Sequence, residues 1–459
     1  MIIKNKQKFV KLFYLLLLLN LTTQLSGQTT APNQLLRSGP MLGYSEMTET
    51  TIWLQTKSPA KVFLKYWKQG NSKSIKITKT FQTNEENDHI ARFIIPGLNF
   101  GTRYEYEVYL NNQKLKFNYP LQFQTQQHWR WRTEPPAFKF AFGSCAYIND
   151  EPFDRPGKPY GSGFEIFNTI ADQKPDFMIW LGDNVYYREP DWLTESAMRY
   201  RFAQNRQLPE LQRFLASTHH YATWDDHDFG PNDSDYTYRL RETSLKIFKD
   251  YWANITYGTE ETKGVFGRFE WTDVEFFLTD NRYYRSPNSS TESDRAMFGE
   301  KQLSWLKNSL RNSKATFKVI IGGSQMINPL TPWEAWVEYP EEQKRFFEFL
   351  KESKIEGVLF LSGDRHYSEL LKRNDLTNYP LYDFTSSPLT AGNSTPDQTR
   401  ESKNPFRVNK TLVLNVKNFG LIEVSGTSKN RKLILKTIDS TGKEHWQHEI
   451  TANELKTKK

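Results

Sequence analysis

The sequence contains a single cysteine, Cys145, among its 459 residues, so no disulfide bond can form within the chain. It also lacks an apolar run of about 20 residues after its N-terminal segment, the length that is needed to cross a bilayer. Its formal net charge is only +8, and four of those charges are lysines of the N-terminal segment. No repeat or low-complexity tract is apparent. These absences argue against a disulfide-stabilised fold, a membrane-spanning protein and a nucleic-acid-binding domain.

The first 28 residues have the pattern of a secretory signal peptide. Four lysines within residues 4–11 precede an apolar stretch that includes a run of leucines at residues 15–19. Ser26-Gly27 then supplies the small residues of a cleavage site. We therefore expect secretion into the periplasm or the medium. Because a free thiol is a liability in an oxidising compartment, Cys145 should be either buried or bound to a metal.

The mature chain divides into a strand-rich first part and a mixed second part. Residues 29–126 contain alternating, β-rich segments such as residues 103–109, separated by turn residues as in a β-sandwich. Residues 126–136 are a predicted linker. From residue 136 to residue 450, apolar strands alternate with segments that have apolar residues at helical spacing, which predicts an α/β domain.

Polar clusters follow several strands of the predicted α/β domain, and ligands bind at that edge of an open sheet. The clusters are Gly143-Ser144-Cys145, Gly182-Asp183-Asn184, Trp224-Asp225-Asp226-His227-Asp228, Ser362-Gly363-Asp364-Arg365-His366 and, more weakly, residues 322–326. Any one of them could be ordinary turn chemistry or a solvated acidic loop. Together they favour a metal site, because their carboxylates would repel one another without a cation.

The cysteine helps to choose between these interpretations. A buried free cysteine is ordinarily a small hydrophobic residue. The position of Cys145 directly after a strand, within a Gly-Ser turn, favours a metal ligand instead. A thiolate, a phenolate and carboxylates together would suit a trivalent ion such as Fe3+.

In this order along the chain, the motifs GSC, GDNVY, WDDHD and SGDRH resemble those of the alkaline phosphatase D (PhoD-like) family of calcineurin-like metallophosphoesterases. The resemblance extends over about residues 34–450. It implies a four-layer α/β/β/α sandwich preceded by an N-terminal β-sandwich of the fibronectin III type. It also implies a centre that holds Fe3+ and Ca2+ and hydrolyses phosphate monoesters and diesters. The substrate would be a small-molecule or lipid phosphate ester, and we expect a monomer.

The resemblance also implies roles for individual residues. The implied metal ligands are Cys145, Asp183, Tyr186, Asp226, Asp364 and His366. The implied catalytic or phosphate-contacting residues are His227, Asp228, Asn184 and Arg365. In this scheme Asp183 bridges two metals, His227 acts on the leaving oxygen and Asp228 orients His227. Gln325 stands where the wider superfamily has a histidine ligand, which leaves its role open.

The residue types themselves, independently of the family resemblance, also suit phosphoryl transfer. Two metals about 3.5–4 Å apart can bind a phosphate and lower the pKa of a bound water. A carboxylate such as that of Asp183 can bridge the metals, because it has two oxygens. The bound hydroxide would attack phosphorus while His227 protonates or stabilises the leaving oxygen. No covalent intermediate is required.

Two alternative functions remain open on the sequence. A lipid-directed phosphodiesterase of phospholipase D type would use the same chemistry and would be favoured by a lid with exposed apolar residues. A binding or adhesion protein would use the β-sandwich to contact a partner and retain an inactive α/β domain. An inactive domain tends to lose its metal ligands, whereas every implied ligand is present here. We therefore favour a secreted metal-dependent phosphatase and phosphodiesterase.

We expect the purified mature protein to contain stoichiometric iron and calcium, and a Cys145→Ser variant to lose the iron, because the thiol is a predicted ligand. Elemental analysis without added metals measures both quantities. Two zinc ions, or manganese, would retain the phosphoesterase chemistry but contradict the iron assignment. Folded protein without any metal would favour the binding-protein interpretation.

Overall fold

The computed structural model describes residues 32–293, 295–331 and 334–457. The predicted signal peptide lies outside these residues. Within them, no helix combines the length and the apolar character that crossing a membrane requires.

The strands of the described residues are β1 (Leu36–Ser45), β2 (Thr50–Thr56), β3 (Lys61–Lys68), β4 (Lys76–Ile77), β5 (Phe81–Gln82), β6 (Ile90–Ile95), β7 (Arg103–Leu110), β8 (Gln113–Lys114), β9 (Gln122–Gln124), β10 (Phe138–Gly143), β11 (Phe177–Leu181), β12 (His219–Thr223), β13 (Gly267–Trp271), β14 (Val274–Leu278), β15 (Phe317–Ile321), β16 (Val358–Ser362), β17 (Glu369–Arg373), β18 (Leu381–Thr385), β19 (Asn418–Ser425), β20 (Lys432–Asp439) and β21 (Glu444–Thr451). The α-helices are α1 (Pro32–Leu35), α2 (Ile166–Asp172), α3 (Glu195–Arg206), α4 (Pro209–Ser217), α5 (Asp226–Phe229), α6 (Arg241–Tyr251), α7 (Glu300–Asn312) and α8 (Pro340–Glu352). Short 3-10 helices are present at Glu85–Asn87, Asp191–Leu193 and Trp336–Glu338.

Two mixed sheets pack against each other at the centre of the α/β domain. One has nine strands in the order β21-β20-β19-β10-β11-β12-β1-β2-β6, and the other has six in the order β13-β14-β15-β16-β18-β17. Aromatic rings of the two sheets meet between them. Tyr221 stacks on Phe269 with a centroid distance of 3.7 Å, and Phe140 contacts Phe276 edge-on at 5.1 Å.

The strand β11 is buried on both of its faces, which explains why its sequence, FMIWL, is apolar without interruption. Side chains on a strand alternate between the two faces of the sheet. Phe177, Ile179 and Leu181 belong to the core between the two sheets. Met178 and Trp180 face the other way, into a core that includes residues of α2, α3, α4 and α6. Both faces of β11 are therefore covered, as is usual for parallel strands of α/β proteins.

Helices cover the second sheet as well. Leucine side chains of α7 and phenylalanine side chains of α8 pack in the same core as β14, β15 and β16. The layers are therefore α/β/β/α, and the predicted four-layer fold is confirmed.

The predicted N-terminal β-sandwich is present, but it shares a sheet with the α/β domain. The strands β1, β2 and β6 extend the nine-stranded sheet, and β1 pairs in parallel with β12. A second sheet, built around β3 and β7, packs on these three strands through buried residues such as Ile52, Val62 and Phe123. The predicted domain boundaries stay a prediction, and sheet hydrogen bonding crosses between the two parts.

Strand direction determines where the polar clusters lie. The strands β10, β11 and β12 are parallel neighbours, and so are β14, β15 and β16. Cys145 follows β10, Asp183 follows β11, Asp226 follows β12 and Asp364 follows β16. Within each sheet, the parallel strands therefore direct their clusters to one edge.

Phe177 provides a test of the packing between the sheets. Its ring is fully buried and lies 5.0 Å from that of Phe140 and 5.3 Å from that of Phe276. We expect Phe177→Ala to lower the free energy of unfolding by about 3–5 kcal/mol, because it leaves a cavity. Phe177→Leu retains more of the volume and should cost clearly less. Equal losses for both variants in denaturant titrations would contradict this explanation.

Candidate metal centre

Four of the predicted ligands lie together. One ligand atom from each of Cys145, Asp183 and His366 lies within 4.8 Å of the other two. The distance from Cys145 Sγ to Asp183 Oδ2 is 3.5 Å. The hydroxyl oxygen of Tyr186 is 3.0 Å from the same carboxylate oxygen and 3.2 Å from His366 Nε2. A thiol, a carboxylate, a phenol and an imidazole thus form one donor set.

Asp183 also belongs to a second group. One ligand atom from each of Asp183, Asp226 and His227 lies within 4.8 Å of the other two. Asp183 Oδ2 faces Cys145 and Tyr186, while Asp183 Oδ1 accepts a hydrogen bond of 3.3 Å from the backbone N–H of His227. One oxygen of Asp183 thus faces Cys145 and Tyr186, and the same side chain also belongs to the group with Asp226 and His227. A carboxylate that belongs to two groups is a candidate for a bridging ligand.

Sequence reasoning missed a third acidic group. Asp226, Asp233 and Glu334 have carboxylate oxygens within 4.8 Å of one another. The backbone N–H of Asp233 donates to Asp226 Oδ2 at 2.8 Å. Neither Asp233 nor Glu334 follows a strand directly, so the rule that identified the other residues could not find them. Among the described residues, Asp364 belongs to none of these three groups. Burial, followed by the charge of Glu334, raises its pKa well above the usual range.

A buried arginine lies among these acids. Arg282 Nη2 is 2.5 Å from Asp225 Oδ1 and 2.7 Å from Glu334 Oε1. It is also 3.8 Å from Asp226 Oδ1. The guanidinium of Arg282 therefore supplies one fixed positive charge to an otherwise anionic region.

The backbone at the centre adopts an uncommon conformation. Five of its residues have positive φ angles, namely Cys145 at 62°, Asp183 at 51°, Glu334 at 52°, Asp364 at 69° and His366 at 56°. Residues with a side chain rarely adopt this left-handed region. Such strain costs about 1–3 kcal/mol per residue and tends to be found at functional sites. The loops thus hold these side chains in orientations that an ordinary turn would not provide.

The electrostatics of the donor set fit a bound cation. Burial, followed by the charges of Asp226 and Cys145, raises the pKa of Asp183 well above its usual range. Burial also raises the pKa of Cys145 to about 12. Burial opposes ionisation of Asp226 too, but His227, Arg282 and the backbone of Asp233 lower its pKa. Buried anionic donors that cost this much to ionise together are stabilised by a metal ion, which makes them good ligands.

Asn184 and Asp228 hold two loops together. Asn184 Nδ2 donates to Asp228 Oδ2 at 2.6 Å and to the carbonyl of Thr223 at 2.7 Å. Asp228 Oδ1 accepts from the backbone N–H of Asp225 at 2.7 Å. Among the described residues, these bonds do not include the imidazole of His227. Orientation of His227 by Asp228 and phosphate contact by Asn184 therefore stay predictions.

Arg365 and Gln325 belong to a buried polar network beside the centre. Arg365 Nη2 forms an ion pair of 2.6 Å with Glu401 Oε2, so the predicted contact of Arg365 with phosphate stays a prediction. Gln325 Nε2 donates to Glu369 Oε1 at 2.9 Å, and Gln325 Oε1 accepts from Asn328 at 2.8 Å. Both ends of the Gln325 amide are thus engaged, which argues against a role as metal ligand.

Two apposed mixed sheets with candidate metal ligands at the ends of their strands define a metallophosphoesterase fold. Residues 140–433 match the family model described as PhoD-like phosphatase, which is more than half of the chain. The chain belongs to the PhoD-like phosphatase family, as its motifs predict. Residues 33–128 match a model described as a domain of unknown function, DUF7800.

The relatives are distant in sequence. Alkaline phosphatase D of Bacillus subtilis (strain 168) is 21% identical over 334 residues, which make up 60% of this chain and 54% of that protein. The match thus spans about half the length of this curated relative. A solved structure of PhoD superposes with a TM-score of 0.73 at 18% identity, covering 92% of each chain. The structure of purple acid phosphatase PPD1 from yellow lupin (Lupinus luteus) seeds superposes with a TM-score of 0.64 at 10% identity. The superposition covers 90% of this chain and 74% of that one. At these identities the structural likeness establishes the fold.

Arg282 provides a test of the charge balance. We expect Arg282→Met to lower the free energy of unfolding of chelator-treated protein by about 3–5 kcal/mol, because the buried carboxylates of Asp225 and Glu334 lose their partner. The control is Arg213→Met, which removes a largely exposed ion pair with Asp172 and should cost about 1 kcal/mol or less. Unchanged stability of Arg282→Met in denaturant titrations would contradict this role.

Proposed function

We propose that this protein is a secreted, metal-dependent phosphatase and phosphodiesterase that hydrolyses phosphate esters. The observation that carries the proposal is the convergence of Cys145, Asp183, Asp226, His227 and His366 on one edge of the fold. Membership of the PhoD-like phosphatase family supports it. The donor chemistry supports it too, because buried anionic ligands suit the binding of multivalent cations.

The two donor sets differ in the metal that they would hold. We assign the set of Cys145, Tyr186 and His366 to Fe3+, because thiolate and phenolate are strongly donating anions. We assign Asp226 and Asp364 to Ca2+, which prefers carboxylate oxygens. Asp183 would belong to both sets. When bound, the metals would neutralise charge on the phosphate and lower the pKa of a water.

We assign the action on the leaving group to His227. Its side chain is 24% exposed, whereas that of the neighbouring Asp226 is 2% exposed. Its ring packs on that of Tyr186 with a centroid distance of 4.2 Å. Its backbone is held on both sides, since its N–H donates to Asp183 and its carbonyl accepts from Tyr187 at 3.2 Å. The imidazole is thus presented at the open side of the donor set, where it can donate a proton to an ester oxygen.

We expect His227→Gln to lower kcat by about 10²–10⁴-fold for alkyl phosphates, because their leaving oxygen needs a proton. The loss should be smaller for 4-nitrophenyl phosphate, whose leaving group is a weak base. The control is His445→Gln, because His445 pairs with Asp439 on a strand outside the centre. Steady-state kinetics of the metal-replete wild type and both variants measure these rates on both esters.

Two results would overturn parts of the proposal. Equal losses for both kinds of ester would contradict the role of His227 but leave phosphatase activity intact. Absence of hydrolysis of monoesters, bis-4-nitrophenyl phosphate and phosphatidylcholine by the metal-replete wild type would contradict the function itself and favour a binding protein. A preference for phosphatidylcholine would identify the phospholipase D-type alternative.

A further inference from the structure

The loop after β18, residues 386–392, wraps around two of the proposed ligands. The backbone N–H groups of Thr390 and Ala391 donate to the carbonyl of Cys145 at 3.1 and 3.0 Å. The carbonyl of Gly392 lies 2.6 Å from His366 Nδ1. This loop therefore fixes the backbone of Cys145 and the tautomer of His366, and it leaves His366 Nε2 to face the donor set.

Within this loop, the hydroxyl of Ser387 connects the same two ligands. Ser387 Oγ accepts a hydrogen bond of 2.6 Å from the backbone N–H of His366. It lies 3.3 Å from Cys145 Sγ, to which it donates. Among the described residues, the sulfur is the one acceptor that this hydroxyl proton meets. The direction of the chain of hydrogen bonds is thus fixed, from the amide of His366 to the hydroxyl and on to the sulfur.

Ser144 is a weaker candidate for the same role. Its Oγ is also 3.3 Å from Cys145 Sγ, but it lies at the same distance from the carbonyl of Ser386. One hydroxyl proton cannot serve both acceptors fully. Ser387 is therefore the residue whose proton is directed at the sulfur.

The backbone around Ser387 is held firmly. Asn418 Nδ2 donates to the carbonyl of Ser387 at 2.8 Å, and the backbone N–H of Asn418 donates to the carbonyl of Pro388 at 3.0 Å. Ser387 and Cys145 are both fully buried. The hydroxyl therefore keeps its position without competition from solvent.

We propose that Ser387 is a positioning residue that donates a hydrogen bond to the thiolate of metal-bound Cys145 and couples this ligand to His366. The proposal rests on the proposed function, because it requires Cys145 to bind a metal. A hydrogen bond withdraws electron density from a ligating sulfur, and such bonds adjust the affinity and the reduction potential of the metal. Donation by an amide to the same hydroxyl strengthens the effect.

The test measures the thiolate-to-iron charge-transfer band of the protein after reconstitution with Fe3+. In Ser387→Ala the band should move to longer wavelength, because the sulfur becomes a stronger donor. Metal affinity should nevertheless fall by about 10- to 100-fold, because Cys145 and His366 lose the hydroxyl that positions them. Ser387→Thr keeps a hydroxyl and should restore both values. The matched control is Ser386→Ala, because the hydroxyl of Ser386 donates to Asn418 Oδ1 at 3.2 Å instead of to the sulfur.

The wild type offers a second readout if Ser387→Ala does not fold. Its metal–sulfur stretch, measured by resonance Raman spectroscopy, should shift after exchange into deuterium oxide. An unmoved band in fully metallated Ser387→Ala, or a stretch that is insensitive to deuterium, would overturn the role of Ser387 alone. A wild type reconstituted with Fe3+ that shows no thiolate-to-iron band would overturn the assignment of Cys145 as a ligand, and the role of Ser387 with it.

Discussion

The geometry of the centre depends on the carboxylate of Asp183. It is buried at the end of β11, with one oxygen facing Cys145 and Tyr186 and the other accepting from the backbone of His227. This placement needs a glycine before it: a Cβ on Gly182 would lie 2.7 Å from the backbone nitrogen of Asp225. The absence of a side chain at Gly182 thus lets the loops after β11 and β12 approach each other, and the two donor sets share Asp183 as a result.

The strain at the centre is tolerated because the sheets beneath it are well packed. Left-handed backbone at residues such as Cys145 and His366 costs about 1–3 kcal/mol each and persists only where the surroundings determine it. Here the surroundings are two large cores on either side of β11, one between the sheets and one under the helices. Strand ends anchored in this way hold polar side chains in place against their mutual repulsion. The packing of the two cores thus offsets the free energy that the strained backbone of the site costs.

Sequence reasoning identified the residues that directly follow an apolar strand, such as Cys145 and Asp183. Parallel strands bring their ends to one edge, so this rule converts a local pattern into a prediction of proximity. It could not find Glu334, which reaches the centre from within a loop whose path no periodicity encodes. Ser387 follows β18 as closely as Cys145 follows β10, and it was missed because β18 itself was not identified as a strand from the sequence. The pairing of β1 with β12 could not be predicted either. The alternation of apolar and polar residues identifies the buried face of a strand, but it does not identify the neighbouring strand.

Asp225 and Asp226 are adjacent in the sequence, and the structure gives them different roles. Asp225 is saturated by the protein: its Oδ1 accepts from Asn281 and from Arg282, and its Oδ2 from Ser324 at 3.2 Å. Asp226 Oδ2 accepts one backbone hydrogen bond, and Asp226 Oδ1 lies 3.8 Å from Arg282. The carboxylate of Asp226 therefore has lone pairs available for a metal ion. Carboxylates that the protein itself satisfies are structural, and those left under-satisfied next to one another are the ones that a cation can bind. That distinction depends on donors more than 50 residues away in the chain, so a motif alone cannot show it.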